Sequence, residues 1–255
     1  MILAIDVGNT NIVLGCIEDG RIRNILRVHT NLQATAAEYA ISLSQLLSFY
    51  QVDPKGFEGT ILSSVVPPVT EALKGAVKQL TGRECMVVGP GMKTGLNLRI
   101  DDPGTLAGDL LVGAVAAMNG YGCPAIVMDL GTATTMTVID KDGCFRGGAI
   151  LPGIKLGYAA LANGTSLLPD ISITPPAKAV ATNTVDCMRS GAVFGTAAIL
   201  DGLAERMEEE LGYSCRLIAT GGLSASVVPY CKKQIVCDDD LLLKGLWILW
   251  EKNRK

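Results

Sequence analysis

The sequence predicts an α/β fold built from two similar halves, each carrying a mixed sheet. Three observations predict it. First, residues 2–22 (ILAIDVGNTNIVLGCIEDGRI) and 125–145 (AIVMDLGTATTMTVIDKDGCF) align without a gap, so that Asp6 matches Asp129, Gly8 matches Gly131, Asp19 matches Asp142 and Gly20 matches Gly143. Second, strand-like and helix-like segments alternate along the remainder of both halves, the pattern of α/β architecture. Third, 255 residues that are 49% hydrophobic and only 18% charged supply ample core for a large fold. The copies lie about half a chain apart, which places the division near the middle, as residues 1–118 and 119–255.

Each repeat is an apolar run rich in Ile, Val and Leu, then Asp-x-Gly followed by small hydroxyl or amide residues. A second apolar run and an Asp-Gly pair complete it. The runs are strands, and the Asp-Gly pair suits a hairpin turn that needs positive φ. Residues 36–50 carry helical spacing, and residues 59–66 (GTILSSVV) form a strand stopped by Pro67 and Pro68. Residues 69–80 read as a helix with Leu73, Val77 and Leu80 on one stripe. Residues 85–88 are a short strand. Residues 105–119 are a helix with Gly120 just past its end, a good C′ residue. In the second half, residues 185–211 are a long helical stretch ended by Gly212. Residues 216–220 are a strand running into Gly221-Gly222, and residues 241–255 are a closing helix.

Composition excludes several functional classes. A net charge of −3 is a poor match for nucleic acid. Mean hydropathy is +0.35, yet the longest uncharged run near the middle is broken at residues 119–124 (NGYGCP), leaving no span of ~20 apolar residues. The first residues lack a basic region and meet Asp6 at once, unlike a secretory signal. The expected location is therefore the cytoplasm, with no membrane partner. The eight cysteines include no C-x-x-C pair and His29 is the only histidine, so they read as reduced, mostly buried thiols and not as zinc ligands.

Four constellations can carry chemistry. Asp6-Val7-Gly8-Asn9-Thr10-Asn11 is a tight hairpin loop. It also has what a phosphate-binding loop needs: a Gly that allows close backbone approach, Thr and Asn donors, and an Asp that can hold a nucleotide's metal. One copy alone would be an ordinary turn. The second, Asp129-Leu130-Gly131-Thr132-Ala133-Thr134-Thr135, is likewise rich in donors and makes the pair harder to dismiss as turns, since two such hairpins can hold a polyphosphate. Asp109 is the only charged residue between Asp102 and Asp129. On an apolar helix face it is either a structural cap or pair, or a general base. Thr220-Gly221-Gly222 either lets a base or sugar pack flat or is a plain strand-to-helix turn. Asn183-Thr184 opens a helix, where an N-cap is the ordinary role.

Taken in order, IDVGNTN, SSVVPPVTEAL from Ser63, VVGPGMKTGL from Val87, DLGTATT from Asp129, GGAILPGI from Gly147, NTVDCMRSG from Asn183 and ATGGL from Ala219 resemble the type III pantothenate kinases. The resemblance runs over nearly the whole chain. It implies the duplicated ribonuclease-H-like fold of the actin-like ATPase superfamily and ATP-dependent phosphorylation of pantothenate, the first step of coenzyme A biosynthesis. It further implies a homodimer with pantothenate sites near the subunit interface, Mg²⁺ with ATP, and a monovalent cation, K⁺ or NH₄⁺. By the same resemblance, residues Asp6, Val7, Gly8, Asn9, Thr10, Asn11, Ile12 and Val13 form the ATP phosphate loop. Asp6 meets the Mg²⁺, Asp129 is the monovalent-cation ligand, and Thr132 contacts ATP. Asp109 is the catalytic proton acceptor, with Ile100, Ala107, Gly108, Leu110 and Thr184 at substrate-binding positions.

The chain departs from the family pattern on the acceptor side. The family usually reads Gly-Ala-Asp-Arg around the catalytic Asp, and this chain has Ala107-Gly108-Asp109-Leu110. A usual substrate-contacting Tyr is Ile100. Gly113-Ala114 stands for the usual Asn-Ala, and Met136-Thr137 for the usual Phe-Asp. Arg99 and Lys93 are the nearby cations that can replace the lost Arg. Two alternatives follow from these departures: a kinase of the same fold for a different small alcohol, and a nucleotide-binding paralogue with a non-catalytic regulatory role.

Overall fold

In the computed structural model, which describes residues 1–254, the chain opens on an antiparallel meander of β1 (Ile2–Val7), β2 (Asn11–Glu18) and β3 (Arg21–His29). The β2–β3 turn has Asp19 at φ 49° and Gly20 at φ 74°. Two consecutive positive φ values are what a two-residue hairpin loop needs to match strand twist. Helix α1 (Ala36–Phe49) starts at a capping box, in which the Glu38 N–H donates to Thr35 Oγ1 and the Thr35 N–H donates to Glu38 Oε2. Strand β4 (Gly59–Ser64) lies parallel to β1, with Asp6 opposite Ser63. Helix α2 (Pro67–Thr81) begins on two prolines, tolerated where the first-turn N–H groups have no helical partner, and is closed by Gly82 at φ 74°. With β5 (Cys85–Val87) the sheet order is β3-β2-β1-β4-β5. Leu3, Ile5 and Val7 of β1 join Leu43 and Leu47 of α1 and Leu73 and Val77 of α2 in one core. Ile2 and Ala4, on the other face of β1, are also fully buried. Burial on both faces is why this strand reads as a continuous apolar run.

Next come the two-residue β6 (Asn97–Leu98) and α3 (Gly108–Tyr121). The helix begins three residues later than the sequence suggests. Asp102 caps a 3₁₀ turn over Pro103–Thr105 by accepting from the Gly104 N–H at 2.9 Å, which holds those residues out of the helix. The helix also runs through Gly120, and the left-handed residue after its end is Gly122, at φ 83°.

A second meander follows, of β7 (Ala125–Leu130), β8 (Ala133–Ile139) and β9 (Cys144–Pro152). Helices α4 (Ile154–Gly164) and α5 (Thr184–Ser190) come next, then a π-type turn over Gly191–Gly195 and α6 (Thr196–Leu211), which Gly212 ends at φ 78°. Strand β10 (Arg216–Thr220), the short α7 (Ser224–Val227) and β11 (Ile235–Cys237) complete a sheet ordered β11-β10-β7-β8-β9-β6. Apart from β6, the order is that of the first sheet, so the duplication extends beyond the hairpins to the whole topology. A core of Ile126, Met128, Met136, Val138, Leu200 and Leu217 fills this unit.

The ungapped repeat hides a slip. The β1–β2 loop is closed by the pair Val7 and Ile12, whereas the β7–β8 loop is closed by Leu130 and Thr134, one residue tighter. The later turn restores the count: Glu18 pairs with Arg21 around two residues, while Asp140 accepts the Cys144 N–H at its carboxylate (2.8 Å) and closes a longer turn. Met136, not Thr137, therefore faces inward where Leu14 does. A one-residue shift reverses the facing of every side chain in a strand.

The last helix, α8 (Leu241–Asn253), returns to the first sheet. Gly15, Gly20 and Gly59 leave room there for Leu243, Trp247 and Trp250. The compact units are accordingly discontinuous. One comprises Met1–Gly95, Asp102–Ala116 and the segment from Leu241; the other comprises Leu96–Asp101 and Ala117–Asp240. The expected 118/119 division misses the returning helix and the β6 segment, neither of which the repeat contains. No helix among the described residues is long and apolar enough to cross a membrane. All eight cysteines are free, with Cys187 and Cys237 exposed.

Candidate active site

In the first unit, parallel β1 and β4 end side by side. Asp6 and Ser63 are ladder partners and therefore project from the same face of the sheet. The loop after Asp6 is fixed by its own turn, in which the Gly8 N–H donates to Asn11 O at 3.0 Å. Buried Thr30 fixes it from β3's end, with Oγ1 donating to Gly8 O at 2.7 Å and its N–H donating to Thr10 O at 3.0 Å. Asn9, Thr10 and Asn11 are exposed at the tip. Val7 and Ile12 are core residues, 1% and 0% exposed, so they reach a ligand only through main chain; Val13 is half-buried.

The start of α3 packs onto this strand end. A Cβ on Gly108 would stand 3.0 Å from Ser63 Oγ, so glycine is what admits the helix so close. Asp109 follows, half-buried in the first turn, with Oδ1 accepting the Leu110 N–H at 2.8 Å. Burial pushes its carboxyl pKa up, and the N–H bonds from Leu110 and its own main chain oppose that only in part. No ion pair involves Asp109 among the described residues, which leaves the helix N-terminus as its favourable electrostatic neighbour. Ala107 and Leu110 are half-buried beside it. Sequence position alone separates Asp6 from Asp109 by most of the unit; the contact of Gly108 with Ser63 brings their backbones together.

The second unit repeats the plan. Asp129 lies one residue before the end of β7, opposite Thr220 of β10. Gly221, at φ 92°, lies against the Asp129 carboxylate and the Leu130 backbone, and an added Cβ would meet Asp129 Oδ1 and come within 2.7 Å of Leu130 N and C. Gly221 thus serves a close approach, which decides between the two readings of the Gly pair only in that the turn is built around a carboxylate. Thr132 is exposed on the β7–β8 loop, its carbonyl accepting the Gly153 N–H at 3.1 Å. Thr184, exposed, is the first residue of α5, and Asn183 is its N-cap, accepting the Asp186 N–H at 2.9 Å. Ile100 follows β6, half-buried, beside Gly147. Ile100 and Thr184 thus belong to the second unit, and Ala107 to Leu110 belong to the first.

Ser63 and Thr30 are not among the residues that the sequence points to as site positions. For Ser63 a signal existed, a hydroxyl at the end of an apolar strand aligned with Asp6. Thr30 gave none, since its bond to Gly8 spans a hairpin. No group of three or more His, Cys, Asp or Glu side chains that could hold a metal ion occurs among the described residues.

Solved structures share this architecture at low identity. A Baf family protein of Campylobacter jejuni matches with a TM-score of 0.60 and 19% identity, covering 98% of each chain. Component A of (R)-2-hydroxyglutaryl-CoA dehydratase from Acidaminococcus fermentans matches at 0.57 and 15%, covering 96% of this chain and 94% of that one. The inorganic polyphosphate/ATP-glucomannokinase of Arthrobacter sp. strain KM matches at 0.50 and 18%, covering 97% and 96%. These likenesses, with the repeated topology of the two mixed sheets, show the duplicated ribonuclease-H-like fold. The family model of type III pantothenate kinase matches residues 2–206, which contain both hairpin loops, Ser63, Asp109 and Thr184, and the chain therefore belongs to the type III pantothenate kinase family.

Proposed function

We propose that the protein transfers the γ-phosphoryl group of ATP to the primary hydroxyl of pantothenate, giving 4′-phosphopantothenate for coenzyme A biosynthesis in the cytoplasm. The observation that carries this is the half-buried carboxylate of Asp109 at a helix start that packs on the strand end beside Asp6. In this reading Asp109 takes the proton from the attacking hydroxyl. A carboxyl pKa raised by burial makes it a better acceptor than a surface Asp. The Gly8 to Asn11 loop binds phosphate oxygens with main-chain N–H groups and with the exposed Asn9, Thr10 and Asn11 side chains. Thr132 and its loop contribute further ATP contacts.

Asp6 is the residue to meet Mg²⁺. Mg²⁺ usually binds through one or two carboxylates plus substrate phosphates, and Asp6 stands near the end of β1, just before the phosphate loop. Asp129, with Gly221 pressed against it, is the residue to hold K⁺ or NH₄⁺. Such ions neutralise charge during phosphoryl transfer, while the protein supplies position and donors. A homodimer is supported by large apolar side chains left exposed on the second unit, among them Ile150 at 73% and Leu156 at 53%.

A second reading is favoured by Ile100 and Leu110, both apolar and half-buried where the family has Tyr and Arg. It is a kinase acting on a less polar alcohol. A coupled ADP-release assay with Mg²⁺ and K⁺ tests both readings. Pantothenate turnover well above an Asp109→Asn control supports the first. Turnover with pantetheine but not pantothenate selects the second, and no turnover with any alcohol rejects both.

A further inference from the structure

Ser63 is fully buried, 0% exposed, and its Oγ has no hydrogen-bond partner among the described residues. A buried hydroxyl without a partner destabilises a fold relative to alanine, so its presence asks for a reason. Three placements supply one. Ser63 lies one residue before the end of β4, in register with Asp6 of β1. Its Oγ faces the start of α3, 3.0 Å from where a Gly108 Cβ would be. The next residue is Asp109, whose carboxylate accepts from the Leu110 N–H at 2.8 Å and from its own main chain, with no side-chain donor among the hydrogen bonds of the described residues. A buried hydroxyl without an acceptor thus lies against the first turn of α3, one residue before Asp109.

We infer that Ser63 is a positioning residue whose hydroxyl donates to the Asp109 carboxylate, directly or through one water, when substrates are bound. The inference rests on Asp109 being the base. Catalytic hydrogen bonds are commonly long or unmade without substrate and tighten in the loaded complex. The hydroxyl would fix the second carboxylate oxygen while the Leu110 N–H fixes the first. The carboxylate plane would then be set toward the incoming alcohol, and a small misplacement of such a group is felt mainly in turnover. Ser63 does not touch the reacting atoms in this scheme.

The test compares wild type, Ser63→Ala, Ser63→Cys, Asp109→Asn and the Ser63→Ala/Asp109→Asn double variant, with kcat and KM for ATP and pantothenate and a thermal melt for each. Ser63→Ala and Ser63→Cys are expected to lower kcat about tenfold with both KM values within about twofold, and with melting no lower than wild type. In the Asp109→Asn background, Ser63→Ala is expected to change kcat less than twofold, because the group it positions is gone. Wild-type kcat in Ser63→Ala, or the same tenfold loss in the Asp109→Asn background, overturns the inference while leaving the kinase reading intact. If Asp109→Asn itself keeps wild-type turnover, the base assignment fails and the inference falls with it.

Discussion

Gly221→Ala tests the second unit's site by the space the structure leaves there. The new Cβ would collide with Asp129 Oδ1 and come within 2.7 Å of Leu130 N and C. A side-chain oxygen can swing away, but a strand backbone paired on both sides cannot, and β7 is paired to β8 and β10. Overpacking of this kind typically costs about 1–3 kcal/mol. Gly221 also sits at φ 92°, and an L-residue with a left-handed backbone adds about 1–2 kcal/mol. The sum is about 2–5 kcal/mol, or a melting point lower by about 4–20 °C for a protein of this size. Gly222→Ala is the matched control, since nothing lies within 4 Å of its Cβ position and its φ is not positive; its effect should stay within about 0.5 kcal/mol. Thermal melts of the three proteins at one pH and salt concentration measure this directly. The displaced Asp129 carboxylate should also raise the K⁺ concentration needed for half-maximal turnover. Melting points of the two alanine variants within 2 °C of each other would refute the packing argument, whatever the activities.

Three further outcomes are expected. Asp109→Asn should lower kcat by about 10²–10⁴ and yet melt higher than wild type at pH 7–8. Burial raises the folded carboxyl's pKa, so ionised Asp109 opposes folding above that pKa, and the gain should vanish as pH falls to about 4, near the unfolded value. Thr30→Val removes the Oγ1 bond to Gly8 O and should lower stability by about 1 kcal/mol. It should also raise KM for ATP several-fold with kcat nearly unchanged, as steady-state kinetics would register. Restoring Leu110→Arg together with Ile100→Tyr should lower KM for pantothenate by about 10–100-fold, the worth of a charge-assisted hydrogen bond; an unchanged KM would show that these two positions do not read the acceptor.

The sequence made the duplication and the strand-end carboxylates legible because both depend on local pattern. Apolar runs broken by Asp-x-Gly need no tertiary information to be read as strand, loop and strand. What escaped depends on pairing across distance. The returning helix α8 belongs to the first unit through glycines at positions 15, 20 and 59 that accommodate Leu243, Trp247 and Trp250, and no repeat marks that. The start of α3 was misplaced because Asp102 caps a 3₁₀ turn that competes with the helix for the same residues. Strand β6 pairs with β9 over only two residues, too short for periodicity to register. Ser63 was visible as a residue, but its role is not visible until Gly108 is seen against it.

The two strand-end loops, one in each unit, are related but not equivalent, and the difference lies in loop length. In the first, the Gly8 N–H reaches forward to Asn11 O, and Asn9, Thr10 and Asn11 are all exposed. In the second, the Gly131 N–H closes on Ala133 O, one residue sooner, and Thr134 is buried. The longer loop presents more donors to an anion. Beside the tighter one, Gly221 lies close against the Asp129 carboxylate and the Leu130 backbone. Donor-rich loop and crowded carboxylate suit different charges, phosphate for the first and a cation for the second. The register slip therefore separates two loop geometries that an ungapped alignment of the repeats makes look identical. Inserting one residue after Gly131 should make the second loop resemble the first and weaken monovalent-cation activation more than ATP binding. A variant that kept its K⁺ dependence and lost ATP affinity would reverse the assignment of the two halves.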